Sequence, residues 1–279
     1  MSILTDPMAL PSPRRLAMGL KPLADRPVLW PDAERTEELA LKKSLWAAQG
    51  REVFDALPGT QAVQDEVRTV LAAELTGRHG LPYEAGGYAP LLDIGLAVQE
   101  DLLVLEAHQH TYRLVAGALF FPALWRLQDK LGKGLAAIHG PVPNYAEQLE
   151  TGMDRLFARL QTGVPLERFN WTLHDTPDLY RPGVHGGAGE DWASSPALGE
   201  QLWLRGERQV LLRLPVSGAI VFTIKTWRER LDKAVTRDPD WGVFLTSVLA
   251  EMPPEMKDYK SLTAKQTALA DWLEGKYGK

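Results

Sequence analysis

The residues that could do chemistry are limited, because the chain of 279 residues contains no cysteine. Disulfides, iron–sulfur clusters held by this chain, thiolate-ligated haem and a cysteine nucleophile are therefore excluded. The main candidates for holding a metal ion are the six histidines. They are His79, His108, His110, His139, His174 and His185.

One candidate metal site combines Glu106, His108 and His110, which would share one face of a strand because side chains alternate between the faces. Two histidines and a carboxylate form a ligand set for non-haem iron or zinc. The alternative is that these polar residues lie at the tip of a hairpin and face water.

A second candidate is His139, between the apolar run 135–138 and a loop that contains Pro141 and Pro143. Proline restricts the residue before it to extended conformations, so we expect 138–143 to form a rigid non-helical loop. Such a loop could hold a neutral imidazole as an axial ligand of haem iron. The alternative is a capping or core histidine bonded to a backbone carbonyl.

Two more positions on predicted strands are candidates. His174 follows Asn170 and Trp171 at a strand end, where a plain strand-end polar residue is the alternative. Glu207 and Arg208 interrupt an apolar strand, together with the glutamine that follows them. A buried arginine needs a partner, which could be a carboxylate of this chain or a haem propionate.

Bulk properties narrow the function classes. The formal net charge is −5, which gives no overall attraction to nucleic acid or to anionic lipid. We find no P-loop, G-x-S-x-G or H-E-x-x-H motif, and the glycines of 182–199 do not follow a strand. The N-terminus does not look like a signal peptide, and no apolar run is long enough to cross a membrane. We therefore predict a cytoplasmic protein.

The candidate residues lie on elements that predict an α+β fold. Two β-prone runs around 101–121 and two around 202–227 indicate antiparallel hairpins, and 169–174 predicts a further strand. Helical periodicity marks about 32–78 and about 238–277, and a short helix is predicted over 125–131. We expect one domain over 1–279, with an antiparallel sheet of about five strands between N- and C-terminal helices.

Several phrases, in order along residues 90–230, resemble the haem-dependent oxidative N-demethylase family, whose haem subunit has a PAS-like fold. The phrases are Val98-Gln99-Glu100-Asp101-Leu102, Phe121-Pro122-Ala123-Leu124-Trp125, Ile138-His139-Gly140-Pro141-Val142-Pro143, Asn170-Trp171, Glu207-Arg208-Gln209 and Ser217-Gly218-Ala219-Ile220-Val221-Phe222-Thr223-Ile224. The resemblance implies a PAS-like sheet and a haem b cofactor.

The resemblance also implies a reaction. A small secondary amine such as dimethylamine would lose a methyl group as formaldehyde, with O2 as co-substrate. The electrons would come from NADPH through a separate flavin and iron–sulfur subunit. Because this chain has neither cysteines nor a nucleotide fingerprint, it could only be the haem subunit.

With this resemblance, we predict His139 as the proximal haem ligand and the metal-binding residue, with His174 as the alternative. Arg208 would neutralise a propionate, and Glu207 would bind the alkylammonium substrate. Aromatic side chains suited to an alkylammonium ion would surround it, and the candidates are Tyr145, Trp171 and Trp227.

The sequence departs from the family at Lys225-Thr226-Trp227, where arginine and tyrosine are usual. If Lys225 and Trp227 contact haem or substrate, the specificity would differ. Two other function classes stay open. One is a PAS-like haem sensor or carrier without turnover, and the other is a non-haem metal protein that uses Glu106, His108 and His110.

Overall fold

The computed structural model describes residues 19–109, 111–139, 150–183, 195–260 and 262–277. These residues form an antiparallel sheet flanked by helices, so the predicted α+β class is confirmed. The strands are β1 (Lys21–Pro22), β2 (Phe54–Ala56), β3 (Asp101–His108), β4 (Thr111–Ala118), β5 (Leu166–His174), β6 (Trp203–Arg213) and β7 (Ile220–Arg230).

The sheet order is β1-β5-β6-β7-β3-β4-β2, and every neighbouring pair is antiparallel. The described residues thus contain seven strands where about five were expected. The additional strands are β1 and β2, which have two and three residues and lie at the two edges. Strands this short cannot show an alternating pattern, so sequence periodicity could not predict them.

Ten helices surround the sheet within the described residues. They are α1 (Arg35–Gln49), α2 (Gln61–His79), α3 (Pro90–Gly95), α4 (Leu135–His139), α5 (Glu150–Arg159), α6 (Leu198–Gln201), α7 (Leu231–Arg237), α8 (Asp240–Glu251), α9 (Pro254–Tyr259) and α10 (Gln266–Tyr277). Among these helices, none has the length and apolar character needed to cross a membrane.

Two local predictions were wrong. The segment 125–131 does not form a helix. The backbone amides of Lys130 and Leu131 both donate to the carbonyl of Leu127, which produces tight turns. Ile138 and His139 were expected in a non-helical loop but are the last residues of α4, whose Ile138 amide donates to the carbonyl of Gly134. Residues 140–143 of that predicted loop lie outside the described residues.

The two faces of the sheet pack against different helices. Helices α1, α2 and α3 cover the first face, where Leu102, Val104, Val210 and Val221 are buried. Helix α5 covers part of the second face, where Phe157 packs with apolar residues of β3, β6 and β7. At the far end of the first face, Trp171 and Leu204 join a core with α7, α8 and α10.

Candidate functional site

One half of the second face is polar, although the strands that form it are long and central. Register places directly paired residues on the same face, so the alternate positions of β5, β6 and β7 come together there. We call this set the polar patch. It consists of Arg168, Asn170, Thr172, His174, Arg205, Glu207, Gln209 and Thr226.

Glu207 lies at the centre of the polar patch. It pairs across the sheet with Asn170 on β5 and Thr226 on β7. The Nε2 of Gln209 donates to its Oε2 at 2.9 Å, and the Nε of Arg205 lies 3.6 Å from its Oε1. Gln209 therefore holds one oxygen of Glu207 by a hydrogen bond, and Arg205 forms a longer ion pair with the other.

Further cations surround Glu207. Burial lowers the pKa of Lys130 and of Lys260 to about 8 in each case, while the negative charge of Glu207 opposes both shifts. Burial also lowers the pKa of Arg168, again against the effect of Glu207. The pKa of Tyr259 is raised, first by burial and then by Glu207. Glu207 is thus the carboxylate that acts on all three cations, while Asp129 also acts on Lys130.

Lys260 and Lys130 reach this region from outside the sheet. Lys260 follows α9 and lies along the edge of β5, where its Nζ donates to the carbonyl of Trp171 at 2.8 Å and to Asn170 at 3.3 Å. Strand β1 pairs with β5 only at its start, so this carbonyl would otherwise be an open edge group. Lys130 lies in the turns after β4, with its Nζ 4.3 Å from the ring centroid of Trp125.

His174 lies at the other end of the polar patch. Its Nε2 is 2.8 Å from the Oγ1 of Thr172, and the side chain is buried. Burial, together with the charges of Arg205 and Arg181, lowers its pKa to about 3. The imidazole is therefore neutral at neutral pH, which is the form that ligates haem iron.

Arg205 lies between Glu207 and His174 in the polar patch, directly opposite Thr172. It is buried, and its guanidinium donates to the carbonyl of Leu179 at 3.0 Å and to that of Phe121. The sequence analysis missed Arg205, and also Arg168, Lys130 and Lys260. The alternation of Arg168 with Asn170 and of Arg205 with Glu207 could have revealed the first two, but no sequence signal places Lys130 or Lys260 there.

The structure does not bring the predicted residues Arg208 and Lys225 together with Glu207. Both lie on the first face of the sheet. The Nε of Arg208 forms an ion pair of 3.1 Å with Glu167, and its other nitrogens donate to the carbonyls of Pro27 and Val28. The Nζ of Lys225 forms ion pairs with Asp32 and with Glu38 on α1, at 3.0 and 3.1 Å.

Trp171 and Trp227 also project from the first face. Trp171 is buried edge-on against Phe244 of α8, with ring centroids 5.3 Å apart. Trp227 stacks on Phe169 at 6.4 Å across Gly206, which has no side chain to separate them. Among the predicted residues with described side chains, the second face therefore brings only Glu207 and His174 together.

The remaining candidates are described in part. His139 is the last residue of α4, but its side chain and the whole of Tyr145 lie outside the described residues. Glu106 and His108 are at the tip of the β3–β4 hairpin, where His108 is exposed. His110 lies outside the described residues. Within the described part of the chain, no three histidine, aspartate or glutamate side chains converge as a metal site requires.

The chain matches the family of haem-dependent oxidative N-demethylase, alpha subunit-like proteins over residues 79–270, which is more than half of its length. The chain belongs to this family. The matched range contains the whole polar patch, Lys130, Lys260 and His139, whereas α1 and nearly all of α2 precede it. The family description indicates haem dependence and an enzyme with more than one subunit.

The polar patch fits a haem in its chemistry. Haem needs cations for its propionates, an imidazole for its iron and an apolar surface for its ring. The Nε of Arg168 is buried and has no hydrogen-bond partner within the described residues. The neutral His174 lies in the same patch, and the buried Leu211 and Ile224 continue it along the second face. The site could therefore accept the cofactor that the family description names.

Proposed function

We propose that this chain is the haem subunit of an enzyme that oxidatively N-demethylates a small secondary amine. One atom of O2 would leave with the methyl carbon as formaldehyde and the other as water, with two electrons and two protons supplied from outside. The observation that carries this proposal is the family match over residues 79–270, which contains every residue of the polar patch.

Glu207 supports the proposal as the residue that binds the amine. A secondary amine is a cation at neutral pH, and Glu207 is the one carboxylate of the polar patch. A hydrogen bond from Gln209 holds one of its oxygens and Arg205 lies 3.6 Å from the other, so the ammonium would meet an oriented acceptor. Trp125 near Lys130 offers an aromatic surface, and Tyr145 keeps its predicted role as a second one.

We assign the haem-binding roles to residues around the second face. His139 at the end of α4 stays our proposed axial ligand, with His174 as the alternative. We place a propionate beside Arg168 rather than Arg208, because the donors of Arg208 already bond to Glu167 and to two carbonyls. When bound, haem b would supply the redox chemistry and the site where O2 reacts.

The reaction needs an electron donor outside this chain. Electrons would come from NADPH through a partner with flavin and iron–sulfur centres, since the chain has no cysteine to hold a cluster. We propose that the five long strands form the PAS-like sheet, in which the first and last of them, β3 and β7, are adjacent. We also propose one domain over the chain and a cytoplasmic location.

The experiment that tests the function is the visible spectrum of the protein purified from haem-supplemented cells, followed by amine-dependent NADPH consumption with a suitable reductase. A Soret band that shifts on reduction, together with turnover of dimethylamine, is the expected result. Haem without turnover would instead indicate a sensor or carrier. Stoichiometric bound metal without porphyrin would favour the non-haem site at Glu106, His108 and His110.

A further inference from the structure

Asp101 is a fully buried carboxylate at the start of β3. It lies directly opposite Ile224 of β7, a residue of the second face, which also carries the polar patch. The backbone amides of Phe120 and Phe121 donate to its Oδ1 and Oδ2, each at 2.9 Å. The Nζ of Lys42 on α1 lies 3.8 Å from Oδ1. One carboxylate therefore fixes the chain where it leaves β4.

The segment that Asp101 fixes provides an acceptor for Arg205. The Nη2 of Arg205 donates to the carbonyl of Phe121, and its Nη1 donates to the carbonyl of Leu179 at 3.0 Å. Burial lowers the pKa of Arg205, and the charges of Glu207 and Asp101 oppose that shift. The two carbonyls anchor the far end of the guanidinium, so it cannot turn toward Glu207 without losing these bonds.

Arg205 and Glu207 are consequently kept at the distance of a loose ion pair. The Nε of Arg205 lies 3.6 Å from the Oε1 of Glu207, and this buried Nε has no hydrogen-bond partner within the described residues. An arginine without other acceptors commonly forms two parallel hydrogen bonds with a carboxylate. The anchored guanidinium does not do so, and Oε1 therefore keeps its capacity to accept from a second cation.

We propose that Asp101 is a positioning residue for amine binding, which acts through the Phe121 carbonyl and Arg205 to keep the Glu207 carboxylate open to the substrate ammonium. The inference rests on the proposed function and adds to it a residue that does not touch the substrate. In Asp101→Asn the single side-chain oxygen can satisfy only one of the two amides, because the other terminal group is a donor. The Phe121 carbonyl then shifts and releases Arg205, which closes on Glu207 and competes with the amine.

The test is calorimetric titration of the haem-loaded full chain with dimethylamine. Asp101→Asn should weaken dimethylamine about tenfold, which lies within the range of couplings measured inside one hydrogen-bond network. Glu167→Gln is the matched control, since Glu167 is an equally buried carboxylate that pairs with Arg208 on the first face. It should lower stability without changing the amine affinity. Haem content and melting temperature establish that each variant is folded.

A double-mutant cycle shows whether the effect passes through Arg205. Asp101→Asn should weaken dimethylamine in the otherwise unchanged protein but should have no further effect in Arg205→Gln. The reason is that Arg205→Gln already lacks the side chain that would close on Glu207. A residue that only supports the fold would weaken the amine by the same factor in both backgrounds.

Hydrogen exchange of the unmodified, haem-loaded protein tests the same coupling without a variant. If the arrangement of this segment favours amine binding, the amine must favour that arrangement by the same factor. Saturating dimethylamine should therefore slow exchange of the Phe120 and Phe121 amides by up to about tenfold. The amides of Val216 and Ser217 provide a matched pair, because both donate to the Glu66 carboxylate at the β6–β7 turn, and they should not change.

The outcomes separate the two proposals. Dimethylamine affinity that Asp101→Asn leaves unchanged, or weakens equally with and without Arg205, would overturn the inference and leave the proposed function standing. If Asp101→Asn does not fold, an amine that slows exchange equally at both pairs of amides, or at neither, overturns it. A protein that takes up no haem would overturn the proposed function, and the inference with it.

Discussion

Arg208 and Glu167 form an ion pair of 3.1 Å in which both side chains are almost completely buried, at 1% and 0% exposure. The pair links β6 to β5 on the first face of the sheet. The ring of Trp30 lies 5.0 Å from the guanidinium carbon, and the carbonyls of Pro27 and Val28 accept from its other nitrogens. Arg208 therefore links residues 27–30, in the segment before α1, to the sheet.

We predict that Glu167→Gln destabilises the protein strongly, because it leaves the buried charge of Arg208 without its carboxylate. Breaking one partner of a buried pair costs about 3–5 kcal/mol. The free energy of unfolding, measured by denaturant titration, checks this. Arg51→Gln is the control, since Arg51 pairs with Asp55 at an exposed site and should have little effect. A loss from Glu167→Gln no larger than that of the control would show that the pair does not stabilise the fold.

The long elements could be predicted from sequence, whereas the partners of the charged residues could not. Alternation in β6 and β7 predicts a hairpin, and the structure pairs Trp203–Arg213 with Ile220–Arg230. The same alternation places Arg208 on the face opposite Glu207. However, only tertiary structure shows that Glu167 and the N-terminal segment occupy that face. Lys130 and Lys260 come from distant segments, so no spacing along the chain could have placed them near Glu207.

Packing of the C-terminal helices gives a prediction at Gly199 on α6. A Cβ at this position would lie 2.7 Å from the Cε2 of Trp272 on α10, which is too close for any side chain. Gly199→Ala should cost about 1–3 kcal/mol of stability, as overpacking of a core does. The matched variant is Gly77→Ala in α2, where a Cβ meets nothing within 4 Å.

Gly77→Ala should stabilise the protein by about 0.5–1 kcal/mol, because alanine loses less conformational freedom in a helix than glycine. Thermal unfolding of the two variants should therefore move in opposite directions. Equal shifts of the same sign would contradict the packing of α6 on α10.

The axial ligand gives the next prediction. His139→Ala should abolish the Soret band of the purified protein, or weaken haem binding beyond detection, because the iron would lose its protein ligand. Far-ultraviolet circular dichroism should stay unchanged. His174→Ala is the informative comparison, since His174 has a neutral imidazole in the polar patch. If His174→Ala removes the haem and His139→Ala keeps it at full stoichiometry, the ligand is His174.

Arg168→Gln should weaken haem binding by about ten- to a hundredfold, since a hydrogen bond to a charged group contributes about 1.5–3 kcal/mol. The reason is the buried Nε of Arg168, which would lose a propionate partner. Titration of haem into the haem-free protein, followed at the Soret band, measures the change. Arg155→Gln, at an exposed position of α5, is the control. Unchanged affinity in Arg168→Gln would place the propionates elsewhere.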